Sequence, residues 1–210
     1  MRRIYLSAIL GTISLCFIAV GAIAADDESS PPGADDARIS AIEPDAKEAL
    51  DVLDQQRRAG DALPEDLVER MDEHANNGMN PHLARLSIAN ATHSVYVLPA
   101  DDRVCAALTI GEGANLSCRS TEEVADGRTG ASTVLVSTGI AIYGLVPDGV
   151  KSVSVQTGTD ESTRLDVENN AYYTVVPAGT ALRTVRYEGP SGPFEFPIYD
   201  PVKVLEASQD

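Results

Sequence analysis

The chain has no tryptophan, only three phenylalanines, three histidines and three cysteines. Clefts that bind or cut sugars lean on aromatic platforms, so the scarcity of rings counts against both activities. A glycosidase would also need two opposed carboxylates, and a chain with 32 acids always offers some. Acids alone therefore argue nothing. No G-x-S-x-G nucleophile elbow is present. A Ser-His-Asp triad would have to use His74, His82 or His93, and each is more simply a surface polar residue. His93 and Ser94 are adjacent, which points them to opposite faces in an extended chain.

Metal-binding patterns are missing too. There is no H-E-x-x-H and no EF-hand loop. His74 and His82 are eight apart across a glycine and a proline, which is not ligand spacing. Asp26-Asp27, Asp35-Asp36 and Asp101-Asp102 read as turn-forming acids rather than calcium ligands. Gly111-Glu112-Gly113 has no following lysine and reads as a turn, not a phosphate loop. No metal and no cofactor is expected, and no catalytic residue is assigned. Positive charge is also scarce: 16 Lys and Arg stand against 32 Asp and Glu, a net charge of −16. Like charges repel, so nucleic acid and anionic lipid are excluded as partners.

What is there begins at residue 2. Arg2 and Arg3 precede an apolar run from Ile4 to Val20, followed by Gly21-Ala22-Ile23-Ala24-Ala25 and then acids. A basic start, an apolar middle and a small-residue exit make a secretory signal peptide over 1–24, cleaved after Ala24 or Ala25. If it is not cleaved, Ile4 to Ala24 is long enough to remain as a membrane anchor. Removing residues 1–24 takes two arginines and no acid, so 186 residues remain and the net charge moves from −16 to −18. Such acidity keeps an exported protein soluble.

Cys16 leaves with the signal. Cys105 and Cys118 remain, an even pair in an oxidising compartment, so a disulfide is expected. It would close a loop of about 14 residues, and chain entropy assigns it roughly 3 kcal/mol. Two cysteines are too few for a structural zinc site.

Residues 25–42 mix acids, serines, Pro31, Pro32 and Gly33 without apolar periodicity, and read as a disordered linker. A helical hairpin is expected over 43–80. Pro44 opens its first helix, Ala46, Ala49, Leu50 and Leu53 form one stripe, and Gly60 stands as the cap after Arg57 and Arg58. Pro64 opens the second helix, with Leu67, Val68, Met71 and Ala75 as its stripe. Such short helices are marginal alone, so the stripes must face each other, the strands or another protein.

From about residue 94 the period becomes two. Eight or nine short strands follow, among them Ser94–Leu98, Val104–Ile110, Ile140–Val146, Val150–Val155 and Leu182–Tyr187. Turn signals such as Pro147-Asp148-Gly149 and Glu168-Asn169-Asn170 separate them. Ser120 to Gly127 reads as one short capped helix. The fold class is mainly β: an antiparallel sandwich or partly open barrel over 94–200, preceded by the hairpin and followed by a tail at 201–210.

Val95-Tyr96-Val97-Leu98-Pro99, the Cys105 and Cys118 pair, the run Tyr143 to Val150 and Asn169-Asn170-Ala171-Tyr172 together resemble an exported domain type of actinobacterial proteins. The resemblance covers roughly half of the chain. It implies secretion, a β fold and a disulfide, and no activity.

Three functions compete. The first is a non-enzymatic exported module that binds a protein or envelope component, and it expects an exposed apolar or tyrosine-rich patch. The second is a secreted hydrolase using carboxylates, which expects a cleft with converging acids. In the third, the helical hairpin drives self-association.

Overall fold

In a computed structural model, residues 41–73, 78–111, 113–158 and 161–207 are described. The expected cleavage residues Ala24 and Ala25, together with Cys16 and His74, lie outside them.

Among the described residues, eleven strands form three antiparallel sheets, none of them closed into a barrel. The first sheet is a meander of β1 (Arg85–Ala89), β2 (His93–Pro99), β3 (Arg103–Ile110) and β4 (Gly113–Ser120), in that order. The middle sheet runs β5 (Ser132–Val136), β6 (Gly139–Leu145), β9 (Ala171–Val176). The third runs β11 (Gly192–Pro197), β10 (Leu182–Gly189), β7 (Ser152–Thr157), β8 (Glu161–Asp166).

Alternation along β6 explains how the sheets stack. Successive side chains leave a strand on opposite faces. Ala141, Tyr143 and Leu145 pack with Val95, Val97, Val104 and Leu108 of the first sheet. Ile140 and Ile142 pack with Val153, Val155 and Val185 of the third. All seven β6 residues are buried, so the middle sheet is covered on both sides.

Helices cover the rest. α1 (Pro44–Ala49) and α2 (Asp51–Asp54) place Ala46, Ala49, Leu50 and Leu53 in the core between the first and middle sheets. α3 (Glu65–Glu73) lays Leu67, Val68 and Met71 on the opposite face of the first sheet, against Tyr96, Leu98 and Ala107. The first expected stripe and the Leu67, Val68 and Met71 part of the second are packed against strands; Ala75 lies outside the described residues.

The expected first helix is broken at Leu50, whose φ of −140° and ψ of 102° are extended. The reason is long-range. The Asp51 N–H donates to Asp148 Oδ1 at 2.7 Å, and the Val52 N–H donates to Asn170 Oδ1 at 3.0 Å. Side chains from distant turns thus cap a new helix at residue 51. The helix ends at Asp54, and Gly60 sits in a 3₁₀ turn over Ala59–Asp61 instead of capping an α-helix.

The strands begin at Arg85, not at 94. A bulge between Leu86 and Ile88 breaks the alternation of β1. The Ser87 Oγ at the bulge lies 2.6 Å from the carbonyl oxygens of both Glu168 and Asn169. β4, with the sequence GANLSCRS, is an edge strand whose apolar alternation is short (Ala114, Leu116, Cys118) and of which only Cys118 packs on the core, so its period-two signal is weak. α4 (Thr121–Ala125) follows the expected grammar: Ser120 Oγ accepts from the Glu123 N–H, and Glu123 Oε2 accepts from the Ser120 N–H. Residues 201–207 of the expected tail form a helix, α5 (Pro201–Ala207), and the Val202 N–H at its start is capped by Asp200 Oδ1. No described helix is long and apolar enough to cross a membrane.

Candidate functional site

The outer face of the third sheet is built by alternation. Val153, Val155, Val185 and Tyr187 point to the core, so Ser152, Ser154, Arg186 and Glu188 point away from it. Register joins the outward residues into a row across four strands. Glu195 on β11 is opposite Arg186 on β10, Arg186 is opposite Ser154 on β7, and Ser154 is opposite Arg164 on β8.

This face bears a recess of about 920 Å³, bordered by Lys151, Ser152, Ser154, Arg164, Arg186 and Glu195. Arg186 Nη2 donates to Glu195 Oε1 at 2.8 Å. The pairing holds the Glu195 carboxyl below its usual range and raises the Arg186 guanidinium. Both side chains are about half exposed, so this is a weak surface pair that a ligand can open. The Ser154 and Ser162 hydroxyls lie 2.5 Å apart. Strands rather than loops carry these groups, so the face is rigid. It combines hydroxyls with charges of both signs and contains no histidine or cysteine.

A second recess, of about 460 Å³, is lined by Asp45, Glu48, Glu122 and Asp148 with Thr121. It is the acidic cleft that the hydrolase reading expects. Burial pushes the Asp148 carboxyl above its usual range, and Asp51 nearby adds to the effect. Its Oδ1 is occupied, however, accepting from the Asp51 N–H and from Asn170 Nδ2 at 2.6 Å. Asn170 is buried and holds φ at 67°. Its Nδ2 also donates to the Val146 carbonyl at 3.3 Å. Asp148 and Asn170 thus tie α2, the end of β6 and the β8–β9 turn together, which is a structural task. Among the described residues no three His, Cys, Asp or Glu side chains are grouped to hold a metal.

Neither described histidine, His82 or His93, borders either recess. His82 is exposed in a short turn, where its backbone N–H donates to Asn80 Oδ1. His93 stacks on Tyr173 with ring centroids 3.6 Å apart and its Nε2 lies 2.5 Å from Asn90 Nδ2. Burial pushes its imidazole down.

Among the described tyrosines, Tyr96, Tyr143, Tyr172 and Tyr187 are buried, and only Tyr199 is strongly exposed. Burial pushes the Tyr143 hydroxyl up to about 12, and it donates to Asn115 Oδ1 at 2.5 Å. Tyr187 donates to the Gly127 carbonyl and pairs with Thr129 Oγ1 at 2.8 Å. Besides Tyr199, the exposed large apolar residues among those described are Leu116 on β4, Leu135 on β5 and Val204 on α5. Leu116 and Leu135 are on different sheets, while the segment carrying Tyr199 and Val204 lies beside β5, where Thr133 Oγ1 donates to the Tyr199 carbonyl at 2.9 Å.

Cys105 and Cys118 form the expected disulfide, directly opposite each other on β3 and β4, with an S–S distance of 2.03 Å. Cys105 Sγ lies buried, 3.6 Å from Met79 Sδ. The row through Ser154 was missed in the sequence, because strand register alone brings residues 154, 164, 186 and 195 together. The alternation of Ser152 with Ser154, and of Arg164 with Asp166, was the available signal. Compared with known protein families, curated proteins and solved structures, the chain matches none.

Proposed function

We propose that this chain is an exported, non-enzymatic β module that binds a protein or cell-envelope component through the outer face of its third sheet. Export is supported by the basic, apolar and small-residue order of residues 2–25. The Cys105–Cys118 disulfide suits an oxidising compartment. The single observation that carries binding is the recess over Ser152, Ser154 and Arg186, a rigid polar surface without a nucleophile–base pair. Its mixed charges suit a polar partner rather than an apolar one.

Co-sedimentation of the full chain with isolated cell envelopes tests the proposal. Ser154→Tyr and Arg186→Ala each lower the bound fraction several-fold, whereas Leu116→Ser on the first sheet leaves it unchanged. Wild-type protein that stays in the supernatant, or recess variants that bind like wild type, would refute it.

The acidic recess favours a second reading, a carboxylate-dependent hydrolase with Asp148 as the acid, since a raised carboxyl is what a general acid needs. Its commitment to two hydrogen bonds ranks this reading below the first. Turnover of a chromogenic ester or glycoside panel that Asp148→Asn abolishes, in a variant that remains folded, would reverse the order.

A further inference from the structure

We propose that β8 is a self-pairing edge, through which two copies of this chain join their third sheets into one eight-stranded sheet. The two ends of the third sheet are β11 and β8, and they are not equally open. In an antiparallel ladder, alternate residues turn both backbone groups toward the same neighbour. The Ile198 N–H donates to the Arg183 carbonyl of β10, so even-numbered residues along β11 face inward and 193, 195 and 197 face outward. Two of those three are Pro193 and Pro197, which have no N–H. Prolines placed this way blunt an edge against strand addition.

β8 has no such protection. The Val167 N–H donates to the Lys151 carbonyl beside β7, so odd-numbered residues face β7. Ser162, Arg164 and Asp166 therefore turn their N–H and C=O groups outward, and all three are exposed. Among the described residues, their only neighbouring strand in the sheet is β7, on the other side. An edge like this is a template for another strand.

Charge selects the occupant and the register. Arg164 and Asp166 share the outer face of β8, and among the described residues neither is in an ion pair. Two β8 strands related by a two-fold axis at Leu165 place each Arg164 opposite the other copy's Asp166. Opposite charges facing across strands are favourable, and this register makes two such pairs. Moving the axis by one residue puts Arg164 opposite Arg164 or Asp166 opposite Asp166, which is unfavourable. In the favoured register Leu165, partly buried on the core side, meets its own copy. Both outer ends of the joined sheet are then the proline-bearing β11, so growth stops at two. A two-fold interface of this kind is closed.

Sedimentation equilibrium of the full chain as isolated, in 0.15 M NaCl to screen the net negative charge, tests this. The expected result is a mass that rises with concentration from one chain toward two. Arg164→Asp alone and Asp166→Arg alone each hold the chain at monomer mass, because each sets like charges face to face. The double charge swap, Arg164→Asp with Asp166→Arg, restores the dimer. Circular dichroism confirms that each variant keeps its β content. Wild-type protein that remains monomeric at about 1 mM overturns the proposal. So does a double variant that is folded but does not dimerise, or single variants that dimerise like wild type.

Discussion

Tyr172 lies across Gly144 so closely that a methyl group on residue 144 would sit 2.6 Å from the tyrosine hydroxyl oxygen. The two residues face each other on β9 and β6. The missing side chain leaves a slot through which the hydroxyl reaches the Gly130 carbonyl, donating to it at 3.0 Å. Burial raises this hydroxyl far above its usual range, so it remains protonated and a donor.

Replacing Gly144 with alanine displaces the ring and breaks that bond. Overpacking costs about 1–3 kcal/mol, and the lost bond about 1 kcal/mol more. The expected result is a fall in Tm on the order of 10 °C, at roughly 2–4 °C per kcal/mol for a domain of this size. Tyr172→Phe keeps the ring and loses only the bond, so it falls less. Calorimetry that ranks the two the other way would contradict the slot.

The same region shows what the sequence could reveal. Strand β6 was visible as an apolar run, and the turn at Pro147-Asp148-Gly149 as punctuation. The short capped helix beginning at Ser120 and the cysteine pair were legible because each acts over a short span or through an even count. The break at Leu50 was not, since it depends on Asp148 and Asn170, about 100 residues away. The outer face of the third sheet was hidden for a related reason. Its residues become neighbours only once β10 pairs with β7, and no local pattern states that order.

Asn170 offers a test of that long-range cap. It holds a left-handed φ of 67° and bonds to Val52, Val146 and Asp148. Asn170→Gly keeps the backbone shape and loses the bonds, while Asn170→Ala loses both. Left-handed backbone costs a residue with a Cβ roughly 1–2 kcal/mol. Alanine is therefore expected to be less stable than glycine by about 1 kcal/mol in urea melts, and both less stable than wild type.

The disulfide joins neighbouring strands of the first sheet, across 13 positions of sequence. On the chain-entropy account, Cys105→Ala with Cys118→Ala lowers stability by about 3 kcal/mol. Reduction of the wild type by dithiothreitol is expected to reproduce most of the loss. A double variant that melts with the oxidised wild type would show that β3 and β4 hold without the link.

Asp148 gives the fold a pH dependence of known sign. Its carboxyl is raised in the folded state by burial, so the native chain holds this proton more tightly than the unfolded chain does. The stability from this group is full below the ordinary carboxylate value near 4. It is lost as pH rises through the higher, folded value. Asp148→Asn keeps an oxygen at Oδ1 for the Asp51 N–H and Asn170 Nδ2, and it carries no charge to bury. The expected outcome is a Tm difference, variant minus wild type, that grows more positive as pH rises from about 4 through the folded value and is flat above it. A difference that falls with rising pH would mean that the ionised carboxylate is favoured by its two donors over its burial. The Asp51 cap would then be strengthened by charge rather than strained by it.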